Sequence, residues 1–336
     1  SGNSARFSQN APPHRPGSDF QDRTETAMST AIEVQNVSKR YGDNLAVNDI
    51  SFAVPTGSLC GFLGPNGAGK STTIRMIMSI IYPDSGTILA RGGSALDSKD
   101  RIGYLPEERG VYRKMRVGEF LRYISRLKGI DARSSRKLAE EWLERMDLPG
   151  VGRKRCQELS KGMQQKVQFI ATIMHDPELI ILDEPFSGLD PVNANLLGRI
   201  IHELNEEGRT IIFSTHVLHQ AEQICDRVLM INKGSIVLDD TMDGLRKTFD
   251  PSTILLRSAE SIEQLIAASA SLPGVIGIQR HENENTAEIL LEKREERLDR
   301  IPPELISMLS DLTAVNSLEL RRPTLDDVFV ALVGTS

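Results

Sequence analysis

The sequence contains no apolar run near the ~18 residues that a helix needs to cross a bilayer. The aliphatic stretch at residues 179–182 stops at Asp183. A helical membrane span is therefore not expected, and action at a membrane would require another chain to do the crossing. Cysteine is scarce: Cys60, Cys156 and Cys225 lie far apart and form no CxxC pair. This spacing argues against a disulfide framework or a cysteine zinc site and suits small buried hydrophobes in a reducing compartment. Positive charge is not in excess, with 40 Lys and Arg against 46 Asp and Glu for a net −6. That balance argues against a broad electrostatic grip on nucleic acid. No apolar h-region leads the chain, residues 1–27 being rich in Ser, Asn, Pro, Gly and Gln. We read residues 1–27 as a disordered or artificially appended leader, with Met28 as the natural start.

What is present is an ordinary globular composition, 39% hydrophobic and 26% charged over 336 residues. Such a length suggests roughly two domains. Alternating Ile32, Val34 and Val37, then residues 45–54, predict two strands. Residues 58–63 predict a short apolar strand that opens into a glycine-rich turn, with a helix over 71–81. Further strands are expected at 87–90 and 102–105. From about 116 to 146 the texture changes, as Phe120, Leu121, Ile124, Leu127, Leu138, Trp142, Leu143 and Met146 recur at helical spacing among charges. A helical insert follows from that pattern, with Trp142 in its core. Helices over 161–174, 191–207 and 219–225 then alternate with strands at 179–182 and 210–214. A hairpin over 228–239 turns at Lys233-Gly234. Alternation of this kind implies an α/β sheet with parallel members. Beyond Asp250-Pro251 the order reads β-α-β-β-α-β, the ferredoxin-like split pattern, with a last helix over 324–333.

Two segments carry chemistry. Gly64-Pro65-Asn66-Gly67-Ala68-Gly69-Lys70-Ser71, followed by Thr72, matches GxxxxGK[ST] between an apolar strand and a helix. Glycines let a phosphate chain lie against bare backbone N–H groups at a helix N-terminus, where the dipole favours an anion. Lys70 supplies charge for the β- and γ-phosphates, and the Ser71 hydroxyl suits Mg²⁺. The strand at 179–182 delivers Asp183 and Glu184 to a sheet edge, where ligands collect. Asp183 can hold Mg²⁺, and Glu184 can polarise a water for attack on the γ-phosphorus.

Further motifs stand in a fixed order around these two. Leu159-Ser160-Lys161-Gly162-Met163-Gln164-Gln165 resembles the LSGGQ signature of ATP-binding cassette (ABC) proteins. Ser187-Gly188-Leu189-Asp190 resembles their D-loop, and Ser214-Thr215-His216 their switch-histidine loop. Tyr41 stands where the family places an aromatic ring against adenine. The resemblance covers residues 32–245 and implies a P-loop NTPase cassette over 28–249. A helical subdomain at about 108–160 and a small α+β accessory domain over 250–336 complete that expectation.

The resemblance further implies an ATPase that binds ATP and Mg²⁺ and pairs with a second cassette, as a homodimer formed on ATP. Each phosphate loop would face Ser160 and the Gly162 backbone of the other copy, with Asp190 in the same interface. His216 would contact the γ-phosphate. Glu107, in Gly103-Tyr104-Leu105-Pro106-Glu107, falls where the family has its Q-loop glutamine. A carboxylate there can ligate Mg²⁺ but cannot donate a hydrogen bond as an amide does.

Residues 107–112, 161–165 and 323–329 resemble a branch that serves prokaryotic sodium- and drug-efflux exporters. That branch implies a separate membrane permease and a place on the inner face of the plasma membrane, with no nucleic acid partner. Arg109, Tyr112, Arg113 and Phe120 are the candidate docking residues. Three other functions remain open: a soluble cassette acting as a mechanochemical switch on a non-membrane partner, a nucleotide kinase or transferase, and a degenerate ATP-binding regulator. The first usually carries two cassettes or a long coiled coil, and the second needs neither the 159–165 nor the 214–216 element.

Overall fold

The computed structural model describes residues 29–108, 110–248, 253–269, 272–281, 285–292, 300–321 and 324–333. The leader over 1–27, Arg109, the Asp250-Pro251 boundary and Pro323 lie outside the described residues. Three sheets organise the rest. In the first, β1 (Thr30–Tyr41) pairs antiparallel with β2 (Asn44–Pro55) and with β4 (Ser85–Ala90). Ile32, Val34 and Val37 are buried as their alternation requires.

The central sheet runs in the order β5 (Ile102–Leu105), β6 (Leu179–Asp183), β7 (Thr210–Thr215), β3 (Leu59–Leu63), β8 (Arg227–Asn232) and β9 (Ser235–Thr241). Its first five strands are parallel, and β9 returns antiparallel. The hairpin turns on Lys233 at φ 46° and Gly234 at φ 81°, the left-handed pair that suits the twist of its strands. Strands buried on both faces read as continuous apolar runs. In β6, Leu179 and Ile181 enter one core cluster and Ile180 and Leu182 the other.

Helix α1 (Lys70–Ile77) covers the first of those faces. On the other lie α4 (Lys161–Ile173), α5 (Pro191–Glu206) and α6 (Leu218–Ile224). The insert forms α2 (Val117–Leu127) and α3 (Ala132–Arg145), closed over buried Phe120, Leu121, Trp142 and Leu143. Its core is continuous with that of the sheet.

Helix α1 ends four residues before the sequence suggests. Ser79 turns left-handed at φ 54°, and the amides of Ile80 and Ile81 fold back onto the Arg75 carbonyl. The apolar Ile80 and Ile81 imitate continued helix but belong to this closing turn. Helix α7 (Met242–Thr248) lies where the sequence suggested no element.

The third sheet has the order β11 (Val275–Arg280), β12 (Thr286–Leu291), β10 (Thr253–Ser258), β13 (Val315–Arg321), antiparallel throughout. With α8 (Glu263–Ala267) and α9 (Pro303–Leu312) it encloses its own apolar cluster. This is the split β-α-β order. Helix α10 (Leu325–Val333) then leaves that cluster, and its Leu325 and Val328 are buried in the core of the larger body.

One half-buried histidine makes stability depend on pH. Nε2 of His175 donates to the Ile102 carbonyl at 3.3 Å, while Nδ1 is buried without a partner among the described residues. Burial, with the Lys128 charge nearby, lowers its pKa from 6.5 to about 4. The unfolded chain takes up the proton first, so this stability is full above ~6.5 and is lost as pH falls towards 4. In urea unfolding at pH 7 and pH 4.5, His175→Gln should lose less stability than the parent chain, by about 2 kcal/mol. Equal losses would assign the acid sensitivity elsewhere.

Candidate active site

The site is built at the carboxyl ends of β3, β6 and β7. After Leu63 the backbone cannot carry a side chain: Gly64 sits at φ 153°, and a Cβ there would meet the Ile231 carbonyl oxygen at 2.2 Å. Gly69, the residue before α1, has φ 113°, and its Cβ would meet the Ala46 oxygen at 2.6 Å. The loop 64–69 thus exposes backbone N–H groups at the start of a helix, with Pro65, Asn66 and Gly67 exposed and Ala68 buried beneath. Thr72, in the first turn of α1, is half-buried. Nζ of Lys70 donates to the carbonyls of Gly64 at 2.7 Å and Pro65 at 3.2 Å. Burial lowers the Lys70 pKa, while Glu184, Asp183 and Glu107 oppose that shift.

Asp183, fully buried, ends β6 beside this loop. Its Oδ1 accepts from Ser214 Oγ at 2.6 Å and from Ser71 Oγ at 3.2 Å. Ser214 Oγ in turn accepts from the Glu184 amide at 3.0 Å, joining the ends of β6 and β7. Glu184 is held at φ 50°, a conformation that costs a non-glycine residue about 1–3 kcal/mol and clusters at functional sites. Oε1 of Glu184 accepts from His216 Nδ1 at 2.9 Å and lies 3.9 Å from Lys70 Nζ. The result is one cation, two carboxylates and an imidazole around a bare glycine-rich turn.

The residues fit a divalent cation. Asp183 Oδ2 is buried and has no hydrogen-bond partner among the described residues, and a buried carboxylate oxygen is costly without compensation. Beside it stands the Ser71 hydroxyl, so the two make a hard oxygen pair of the kind Mg²⁺ takes with substrate phosphates. Glu107 is exposed on the 106–110 loop, and its charge acts on both Lys70 and Tyr104.

Other expected residues stand apart from this group. Tyr41 ends β1 with about half its surface exposed, leaving a ring face for a planar base, and Lys39 Nζ lies 5.7 Å from its centroid. Ser160 caps α4, accepting from the Met163 amide at 3.3 Å, and is exposed. Gly162 lies against Gly188 and Leu189, where a Cβ would touch at 3.4 Å. Asp190 caps α5 through the Asn193 amide at 2.9 Å, a bond that draws its carboxyl below the usual range. Among the described residues no hydrogen bond or ion pair links Ser160, Gly162 or Asp190 to the phosphate loop of the same chain.

Three polar residues escaped the sequence reading. Ser214 was expected only as part of the histidine loop, yet it braces both carboxylate residues. Gln168 of α4 grips the Glu107 loop, donating to the Pro106 and Glu108 carbonyls and accepting from the Gly110 amide at 3.2 Å. Gln165 donates to the Pro185 carbonyl at 3.0 Å. For the two glutamines the one signal is their helical spacing in a largely buried helix.

The geometry gives a direct test. Gly64→Ala should abolish nucleotide binding, since its Cβ collides with backbone that cannot retreat. Glu184→Gln should keep binding while slowing hydrolysis by about 10²–10⁴-fold, the usual worth of a general base. Equilibrium binding of a fluorescent ATP analogue and phosphate release separate the two effects.

Comparison with known proteins agrees with this geometry. The family model described as ABC transporter matches residues 47–187. An uncharacterized ABC transporter ATP-binding protein of Bacillus subtilis, YhaQ, is 36% identical over 304 residues, covering 90% of this chain and 98% of the relative. The linearmycin resistance ATP-binding protein LnrL of the same organism is 32% identical, covering 90% of this chain and 98% of its own. The daunorubicin resistance ATP-binding protein DrrA3 of Streptomyces coeruleorubidus is 32% identical, covering 91% and 96%. A solved structure of an ABC transporter's ATP-binding subunit superposes with a TM-score of 0.61 at 31% identity, covering 66% of this chain and 93% of that one. By its phosphate loop, its paired carboxylates and these relatives, the chain belongs to the ATP-binding, ATP-hydrolysing proteins of ABC transporters.

Proposed function

We propose that two copies of the chain close around two ATP molecules and that this closure drives a separate membrane permease for export. The observation that carries the reading is the exposed Ser160 helix end, which makes no polar contact with its own phosphate loop among the described residues. A helix N-terminus is an anion site, favoured by free amides and the dipole. A second copy would bring Ser160 and Gly162 to the first copy's γ-phosphate and set Asp190 at the junction.

In the closed pair, Lys70 leaves the Gly64 and Pro65 carbonyls for the β- and γ-phosphates. Ser71, Asp183 and Glu107 would hold Mg²⁺, which neutralises phosphate charge when bound. Glu184 takes the proton of the attacking water, and His216, donating through Nδ1 to that carboxylate, orients it and faces the γ-phosphate. Phosphate loss removes the charge gripped from both sides, and the pair opens.

The helical arm suits the permease. Residues 111–160 carry thirteen Lys and Arg against seven Asp and Glu, a net +6 in a chain of net −6. Tyr112 and Tyr123 are exposed and stack edge-on at 5.8 Å. Phe120, expected to dock, is instead buried beneath Tyr112 at 5.9 Å and supports that surface from within. A cleft of about 730 Å³ continues from Tyr123 past Leu127 between Arg122, Arg126 and Arg136. Arg113 is exposed beside Tyr112, and Arg109 lies outside the described residues. Relatives named for linearmycin resistance, daunorubicin resistance and Nod factor export favour an exporter. The chain then sits on the inner face of the membrane through its partner.

With MgATP, Glu184→Gln should elute as a dimer in size-exclusion chromatography with light scattering, and Ser160→Arg should remain monomeric. A monomeric Glu184→Gln chain that still binds ATP would sink the sandwich. Affinity purification from detergent-solubilised membranes should recover an integral membrane protein, and Tyr112→Asp with Tyr123→Asp should lose it.

A further inference from the structure

The last helix among the described residues reaches the element that follows the switch histidine. Helix α6 begins at Leu218, two residues after His216, and has only seven residues. Among the described residues no side chain caps its N-terminus, and a helix this short has little stability of its own. Its position is therefore set by what packs around it.

Three surroundings can be distinguished. On one side is β3, where Gly61 lets Ala221 and Cys225 approach closely, a Cβ on Gly61 falling 3.3 Å from the Cys225 sulfur. Towards α5 there is a cleft of about 770 Å³, bordered by Gly198 and His202 of α5 and by His219, Gln223 and Ile224 of α6 and its turn. Helix α6 is thus incompletely supported there. Further support comes from α10, which lies against α6. Leu325 and Val328 of α10 are 2% exposed, in the same buried cluster as Leu218 and Ala221. Phe329 and Leu332 continue the stripe at helical spacing, while Asp326 and Val330 face away.

Helix α10 is also fastened to the third sheet. Thr324 and Asp327 cap one another, the Thr324 amide donating to Asp327 Oδ2 at 2.9 Å and the Asp327 amide to Thr324 Oγ1 at 3.2 Å. Arg321, at the end of β13, lies 3.5 Å from Asp327 and also pairs with the buried Glu288 of β12. A continuous set of contacts therefore runs from the accessory sheet through α10 and α6 to His216.

We propose that Leu325 and Val328 are positioning residues for ATP hydrolysis, holding α6 so that His216 stays against Glu184. The accessory domain thereby sets turnover rather than nucleotide affinity, because the phosphate loop and Tyr41 lie on other elements. This inference rests on the role given to His216 above.

The test uses the full chain and four variants: Val328→Asp, Leu325→Ala, Val328→Leu and His216→Ala. Val328→Asp should lower kcat about tenfold or more with KM for ATP within about twofold, and raise hydrogen exchange in residues 215–224. Leu325→Ala should show the same pattern more weakly should Val328→Asp fail to fold, and Val328→Leu should restore full turnover. On a His216→Ala background, Val328→Asp should cost little more, since both act through one group. Unchanged kcat despite raised exchange in α10, or a full additional loss in the His216→Ala background, would overturn the inference while leaving the site reading intact. Full turnover in His216→Ala alone would overturn both.

Discussion

A charged carboxylate buried at the end of an interior strand is the constraint on which the site depends. Asp183 is fully buried, and among the described residues only one of its oxygens is satisfied, by Ser71 and Ser214. In a low-dielectric setting such a group is tolerable only beside compensating charge. The parallel sheet meets that condition by ending three strands together, so that the Lys70 turn, the Asp183-Glu184 pair and the Ser214–His216 loop converge. The same convergence makes the place fit to hold a cation and a phosphate chain.

The backbone is constrained there too. Gly64 and Gly69 occupy backbone conformations that a side chain would block, and Glu184 sits left-handed at φ 50° without glycine's freedom. The surrounding strands fix these conformations through close backbone contacts and through Ser214. Rigidity behind the site contrasts with incomplete packing in front of it, where α6 borders a cleft. A fixed phosphate loop and a less supported switch helix are the pairing expected of a machine that binds firmly and responds to the terminal phosphate.

Two bodies flank that machinery with different chemistry. The helical arm is basic and shares the apolar core of the sheet, so its movement is tied to α4, the helix that starts at Ser160 and holds the Glu107 loop through Gln168. The accessory sheet has a core of its own and touches the larger body through the stripe of α10. On the readings proposed above, one of these bodies would face a permease and the other would act on the hydrolytic step.

Much of this was readable from order alone. Hydrophobic alternation in half-buried strands and continuous apolar runs in those buried on both faces located nearly every strand to within a residue or two. The phosphate loop was legible because glycine at 64, 67 and 69 answers a local demand of the backbone, and Asp183 and Glu184 because they end an aliphatic run. The end of α1, the short α7 and the burial of Phe120 were not legible, since apolar residues at helical spacing look alike whether they continue a helix, close a turn or lie under a tyrosine. Sequence by itself thus determined the local chemistry: which residues supply the glycine turn, the lysine and the paired carboxylates. Tertiary structure alone decided the partnerships, such as Ser214 beneath both carboxylates, Gln168 on the Glu107 loop and α10 against α6. Those contacts join residues far apart in the chain, and only the packing of sheets and helices brings them within bonding distance.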